Sequence, residues 1–204
     1  MCNKDNENKT CDKKIILASS SPRRSELLQK YGVPFTKKAA TSPEKFQNNL
    51  SIEEANMMVA YHKALEVYNT LDKTKAEQKD VVVIGADTIV VINNEILGKP
   101  KNRLDAFMML KKLSNQTHYV MTSVAFVMEN KYKTFFEKTY VTFKAMSDDE
   151  IYAYIDSENV YDKAGSYAIQ GGASKYITMI KGDYDNVVGL PVKRLLEELH
   201  KFIS

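Results

Sequence analysis

One carboxylate, Asp87, four cations, Arg23, Arg24, Lys63 and Lys99, and one amide, Gln170, stand in this 204-residue sequence where their types and neighbours could do chemistry. Asp87 follows an apolar run, Val81–Ile84, bounded by Gly85, and a second run, Ile89–Ile92, begins soon after it. β-Branched residues without alternation suit a strand buried on both faces. The pattern predicts a strand ending before Asp87, another after it, a turn at Asn93-Asn94, and then Leu97-Gly98-Lys99-Pro100. An acid and a base would thus emerge at two strand ends about twelve residues apart. Ligand sites gather outside such strand ends in open α/β sheets. The plainer role for Asp87 is to start a turn by bonding its own backbone, and local sequence leaves the two roles even.

A short strand candidate, Ile15–Ala18, runs into Ser19-Ser20-Ser21-Pro22-Arg23-Arg24. Ser21 as N-cap and Pro22 at the first helical position predict a helix with Leu27 and Leu28 on its apolar face, ending near Gly32. Arg23 and Arg24 then oppose the helix dipole, at a cost of about a few tenths of a kcal/mol unless an anion sits there. An anion site is favoured over two solvated arginines. Lys63 is four residues from both Val59 and Val67, on the inward stripe of a second helix, where an unpaired ammonium is costly. It either snorkels to the edge of that face or reaches an anion. The amide of Gln170, beside Gly171-Gly172, can donate and accept at once, which suits reading a base edge; taken alone, a structural amide is the stronger reading.

The elements that must position these groups follow from local signals. Val33–Ala39 reads as a strand and 40–50 as a polar turn. Ser51 and Glu54 form a capping box that opens a helix to about Thr70, and Ser147 with Glu150 opens another through about Asp156. Asn102–Ser114 reads as a helix with Leu104, Phe107, Met108 and Leu113 apolar and Met108-Met109 as core filling. Tyr119–Met128 and Tyr132–Ala145 read as strands joined by a hairpin at 129–131. Asp162–Tyr167 reads as a turn, Tyr176–Ile180 as a strand, Gly182–Pro191 as a turn, and Val192–Phe202 as a helix with Leu195, Leu196 and Leu199 inward.

Composition bounds the class. An apolar fraction of 44% with 27% charged residues describes an ordinary globular protein. The length suits one domain over 14–204 behind a polar tail, residues 1–13, which is read as disordered. A net charge of +3 leaves no basic stripe of the kind nucleic acid requires. Cys2 and Cys11 both lie in the tail without a His at metal spacing, so neither a disulfide framework nor a zinc site is indicated, and a reducing, cytoplasmic setting fits best. The tail lacks the apolar segment of a signal peptide, and no apolar run approaches the length of a membrane span. No G-x-x-x-x-G-K-[ST] is present, which argues against a P-loop kinase.

Taken together, SSSPRR, GADTIVV, LGKP, DKAGSYAIQGG and GDYDNVVGLP resemble, in this order and in register from about Ile15 to Leu196, the Maf family of nucleotide pyrophosphatases. The resemblance implies an α/β fold: a mixed twisted sheet with flanking helices, related to the inosine-triphosphate pyrophosphatases, in two lobes with a central cleft. It implies hydrolysis of a nucleoside triphosphate to the monophosphate and pyrophosphate with a divalent metal, Mg²⁺ or Mn²⁺. Asp87 matches the family's catalytic acid, a general base and metal partner. Arg24 with Ser19 matches the phosphate-binding start of the first helix. Lys63 and Lys99 match lysines that hold the triphosphate, and Glu44 aligns with a metal-binding glutamate. Arg23, Thr88 and Gln170 match the set that marks the dTTP/UTP branch, whereas the 7-methyl-GTP branch usually carries Trp in place of Arg23 and Glu in place of Gln170. Ser123 and Ala168 stand where the family more often has Gly, and the first could tighten a backbone approach near the site. The resemblance also leaves room for a homodimer.

Elementary chemistry agrees with these assignments. A triphosphate carries about four negative charges at neutral pH, so attack at its α-phosphorus needs charge neutralisation and positioning above all. The leading expectation is an enzyme that removes pyrimidine triphosphates, including modified ones. A purine-directed pyrophosphatase and a nucleotide-binding regulator of cell division are the alternatives. Retention of Asp87 beside the cations favours turnover over binding alone.

Overall fold

The computed structural model describes residues 13–41, 46–47, 49–71, 80–129 and 131–204. Its strands and α-helices are β1 (Lys14–Leu17), α1 (Pro22–Lys30), β2 (Thr36–Lys37), α2 (Ile52–Asn69), β3 (Val81–Ile92), β4 (Glu95–Leu97), α3 (Arg103–Leu113), β5 (Thr117–Met128), β6 (Lys131–Phe143), α4 (Asp148–Ser157), β7 (Ile177–Lys181), α5 (Tyr184–Val188) and α6 (Val192–Ile203). The sheet has the order β2-β1-β3-β5-β6-β7, with β4 also beside β3. β1 pairs in parallel with β2 and β3, while β4 pairs antiparallel with β3 and β7 with β6. This is the mixed α/β sheet with helices that the sequence predicts. Among the described residues no helix is long and apolar enough to cross a membrane.

Local signals account for most element ends. Both capping boxes form, with Ser51 accepting from Glu54 N–H and Ser147 from Glu150 N–H. Asn93 and Asn94 both adopt positive φ, 50° and 60°, and close the two-residue hairpin between β3 and β4, a conformation Asn tolerates better than most residues. Four expectations need correction. The two apolar runs around Asp87 form one strand, not two, because β3 changes partners along its length. Its first residues pair with β1 and Val90–Ile92 pair with β4. Asp87 therefore lies within a strand rather than at its end. The strand expected over Val33–Ala39 is reduced to Thr36–Lys37. In α3 the buried stripe is Ala106, Leu110 and Leu113, while Leu104 and Met108 are exposed, so Met108 is not core filling. Finally, the expected turn over 182–191 contains the short helix α5.

The chain forms two compact units, one of residues through Asp87 with Ser123–Phe136 and Leu190–Ser204, the other of Thr88–Thr122 with Glu137–Gly189. In the first, Ala60, Ala64 and Val67 of α2 pack with Val81 and Val83 of β3 and Ala125 and Val127 of β5. Val82 and Ile84 alternate to the opposite face and are equally buried, which is why this part of β3 shows no polar alternation. The second unit has its own core, in which Leu110 and Leu113 of α3, Val141 and Phe143 of β6, Ile151 and Ile155 of α4, and Tyr167 and Tyr176 come together.

Candidate active site

Gly85 determines how closely α2 can approach β3. A Cβ built on it would lie 2.1 Å from the carbonyl oxygen of Ala60 and 2.8 Å from the amide nitrogen of Ala64. Any side chain there would push the helix away. With the helix so close, residues on its inward stripe can reach the carboxylate of Asp87, two positions further along the strand. Lys63 Nζ donates to Asp87 Oδ1 at 2.6 Å, and Asn56 Nδ2 donates to Asp87 Oδ2 at 2.6 Å. Asn56, Ala60 and Lys63 are spaced i, i+4, i+7, so one helical face presents all three. Asn56 is fully buried, Asp87 is 5% exposed and the Lys63 side chain 15% exposed. An ion pair placed here is little screened by water, and each carboxylate oxygen is met by a donor.

Behind Asn56 lies Ser123 of β5, also fully buried, whose hydroxyl donates to Asn56 Oδ1 at 2.5 Å. The Ser123 hydroxyl satisfies a buried amide oxygen. Arg24 is buried as well. Its Nη1 donates to Ser19 Oγ and to the carbonyl oxygen of Ala86, each at 3.0 Å. Ser19 Oγ also accepts from the Ser21 backbone N–H at 3.2 Å. Ser21 is the N-cap of α1 but makes no capping bond with its own side chain, and Pro22 follows at the first helical position. Arg24 therefore braces the serine turn against the strand position just before Asp87. Arg23 is half-buried on the same first turn.

The structure thus brings Ser19, Arg24, Lys63 and Asp87 together in the first unit. Glu44 lies outside the described residues. Thr88, Lys99 and Gln170 belong to the second unit. Thr88 Oγ1 is 2.9 Å from Thr122 Oγ1, which in turn donates to the carbonyl oxygen of Asn186 at 3.0 Å. Lys99 is exposed, and its segment is tied to that of Gln170 by a bond from Gly165 N–H to the Gly98 carbonyl oxygen at 3.0 Å. Gln170 is exposed on a backbone held from several directions. Ala168 N–H donates to Tyr154 Oη at 3.3 Å, and Gly172 N–H to Glu158 Oε1 at 2.9 Å. A Cβ on Gly172 would come within 2.8 Å of that same Glu158 oxygen, so the glycine permits the bond.

Beneath this segment His118 Nε2 meets Tyr167 Oη at 2.7 Å, and His118 stacks edge-on against Phe143 and Tyr167. Burial pushes the imidazole down to about 4, so it is neutral at pH 7, and burial also drives the Tyr167 phenol up. Tyr154 is likewise pushed up by burial, to about 12. Both tyrosines therefore remain protonated.

One member of this arrangement escapes a reading of sequence. Asn56 precedes Lys63 by two turns on the stripe that contains Ala60, and that spacing was the available signal. Arg24, a candidate anion ligand by sequence, also bonds a serine hydroxyl and a carbonyl oxygen in the fold.

The sequence model of the family described as "Maf-like protein" matches residues 14–202. A Bacillus cereus protein named dTTP/UTP pyrophosphatase is 46% identical over 190 residues, covering 93% of this chain and 90% of its own. A Bacillus anthracis protein of the same name is 45% identical over 190 residues, covering 93% and 96%. Among solved structures, the Staphylococcus aureus Ham1 protein is similar with a TM-score of 0.43 and 16% identity, covering 64% of this chain and 72% of that one.

Proposed function

The chain belongs to the Maf-like protein family, and from that premise we propose that it hydrolyses pyrimidine nucleoside triphosphates, dTTP and UTP foremost, to the nucleoside monophosphate and pyrophosphate. The observation that carries this reading is the buried Asp87 carboxylate, held on one oxygen by Lys63 and on the other by Asn56, in a chain whose relatives bear the name dTTP/UTP pyrophosphatase. A general base must be fixed within hydrogen-bond reach of the proton that it takes, and two donors from one helix supply that fixation.

In this reading Asp87 takes a proton from a water as the water oxygen bonds to the α-phosphorus. The bond from that phosphorus to the bridging oxygen breaks, and pyrophosphate leaves with the electron pair. Lys63 has three donors and can hold Asp87 while facing an anion. Arg24 keeps the serine turn and the start of α1 against the strand that carries the acid. Ser19, Arg24, Lys63 and Lys99 as phosphate ligands, and Arg23, Thr88 and Gln170 as the groups that select a pyrimidine, enter by their match to the family's motifs.

A divalent cation fits the donor set. Mg²⁺ characteristically takes one or two carboxylates together with substrate phosphates, and Asp87 offers one such carboxylate. Asp87 would hold the cation, with Glu44 as second carboxylate. When bound, such a cation lowers the pKa of water and polarises a phosphoryl oxygen. The catalytic domain would span 14–204, and a cytoplasmic setting suits the substrates.

The test is pyrophosphate release with Mg²⁺ or Mn²⁺ from dTTP, UTP, CTP, 7-methyl-GTP and dITP. Release predominantly from dTTP and UTP is expected. Preference for 7-methyl-GTP or dITP would assign the chain to a purine-directed branch. Tight nucleotide binding without release would assign it to regulation.

A further inference from the structure

We propose, on the reading that Asp87 is the catalytic base, that Ser123 and Asn56 form a positioning relay that aims its carboxylate. The direction of every proton in this chain of bonds follows from chemistry. An ionised carboxylate only accepts, so the side of Asn56 that faces Asp87 Oδ2 at 2.6 Å is its NH₂ group. The amide oxygen then faces Ser123, and because that oxygen only accepts, the Ser123 hydroxyl donates. The order is hydroxyl to amide oxygen, amide N–H to carboxylate. Turning the amide over would set two acceptors against each other at Asp87, so the carboxylate fixes the orientation and the hydroxyl, which can donate or accept, follows it.

Ser123, Asn56 and Asp87 belong to one compact unit, on β5, α2 and β3 respectively. Asn56 and Ser123 are completely buried, where water cannot replace a lost partner. A polar side chain in the interior of a helix that packs on a sheet is retained only with its bonds made, and here both ends of the amide are used. Lys63 fixes the other carboxylate oxygen at 2.6 Å. Lys63 neutralises charge, and the Asn56 bond sets the rotation of the carboxylate. Ser123 acts on Asp87 through Asn56, whose amide oxygen accepts its hydroxyl.

The deciding experiment is steady-state pyrophosphate release from UTP by the full chain and by Ser123→Ala, Ser123→Thr, Asn56→Leu and the Ser123→Ala/Asn56→Leu double variant, with thermal melting of each. Ser123→Ala should lower kcat about 10-fold and leave KM within about 2-fold, because a small misplacement of a catalytic group costs rate more than binding. Ser123→Thr keeps the hydroxyl and should restore kcat. Asn56→Leu should lower kcat on the order of 50-fold, and the double variant should match it rather than multiply the two losses. Should Asn56→Leu fail to fold, the Ser123→Ala and Ser123→Thr pair decides. Unchanged kcat in folded variants, multiplicative losses or a loss confined to KM would overturn the relay while leaving Asp87 as the base. No release by the unaltered chain would overturn the reading of Asp87, and the relay with it.

Discussion

Asp87 is buried and its carboxylate is gripped by side chains of α2, whereas Gln170 is exposed and the backbone around it is what is gripped. The two regions serve different needs in the proposed reaction. A base must keep its reacting atoms in place, so its own oxygens are tied by Lys63 and Asn56. A residue that reads a ligand must leave its amide exposed, so the structure ties Ala168 and Gly172 instead and lets the side chain project. The first region relies on charge and amide bonds in a dry setting. The second relies on one phenol, Tyr154, and one carboxylate, Glu158, each accepting a backbone N–H, with His118 and Tyr167 beneath them.

This contrast can be broken at the acid first. Replacing Lys63 by Met removes the cation bonded to Asp87 Oδ1, and loss of one partner of a buried pair costs on the order of 3–5 kcal/mol. Urea unfolding of Lys63→Met should show a loss of that size, together with a fall in pyrophosphate release of at least about 100-fold. A stable, active Lys63→Met would mean that the pair is incidental.

The next largest effect belongs to the second region and is driven by pH. His118 has its folded value depressed to about 4 from an ordinary 6.5, so between these values the unfolded chain binds a proton that the folded chain refuses. Its contribution is complete above about pH 6.5 and is lost as pH falls through 4, a decline on the order of 3 kcal/mol. Comparing urea unfolding at pH 7 and pH 4 in the native chain and in His118→Gln isolates this share from that of the carboxylates. The variant should lose less on acidification; an equal loss would remove His118 as its cause.

The smallest effect on stability should come from Gln170→Glu, within about 0.5 kcal/mol for an exposed side chain. Its consequence should appear in selectivity, as a fall in the ratio of dTTP to 7-methyl-GTP turnover. An unchanged ratio would remove Gln170 from the specificity set.

How far these regions can be read from sequence depends on how local their causes are. The capping boxes at Ser51 and Ser147 and the Asn93-Asn94 turn are short-range and are visible as motifs. Asp87 shows itself as a charge inside an apolar run, and Lys63 as a cation on an inward stripe. Their partnership stays hidden because it depends on Gly85 admitting α2 to the strand, a contact between residues far apart in the chain. For the same reason β3 reads as two strands: its change of partner from β1 to β4 is decided by other segments. Leu104 and Met108 look like core because apolar residues mark a helix face only when its neighbours are known.

The proposed function rests on the held carboxylate of Asp87 driving pyrophosphate release. Its most direct test compares UTP and dTTP turnover by the unaltered chain and by Asp87→Asn, with nucleotide binding measured on both. Asp87→Asn keeps the shape and removes the base, so turnover should fall by at least about 1,000-fold while binding stays within about 10-fold. Turnover that survives in Asp87→Asn would contradict the account and move the chemistry to another residue.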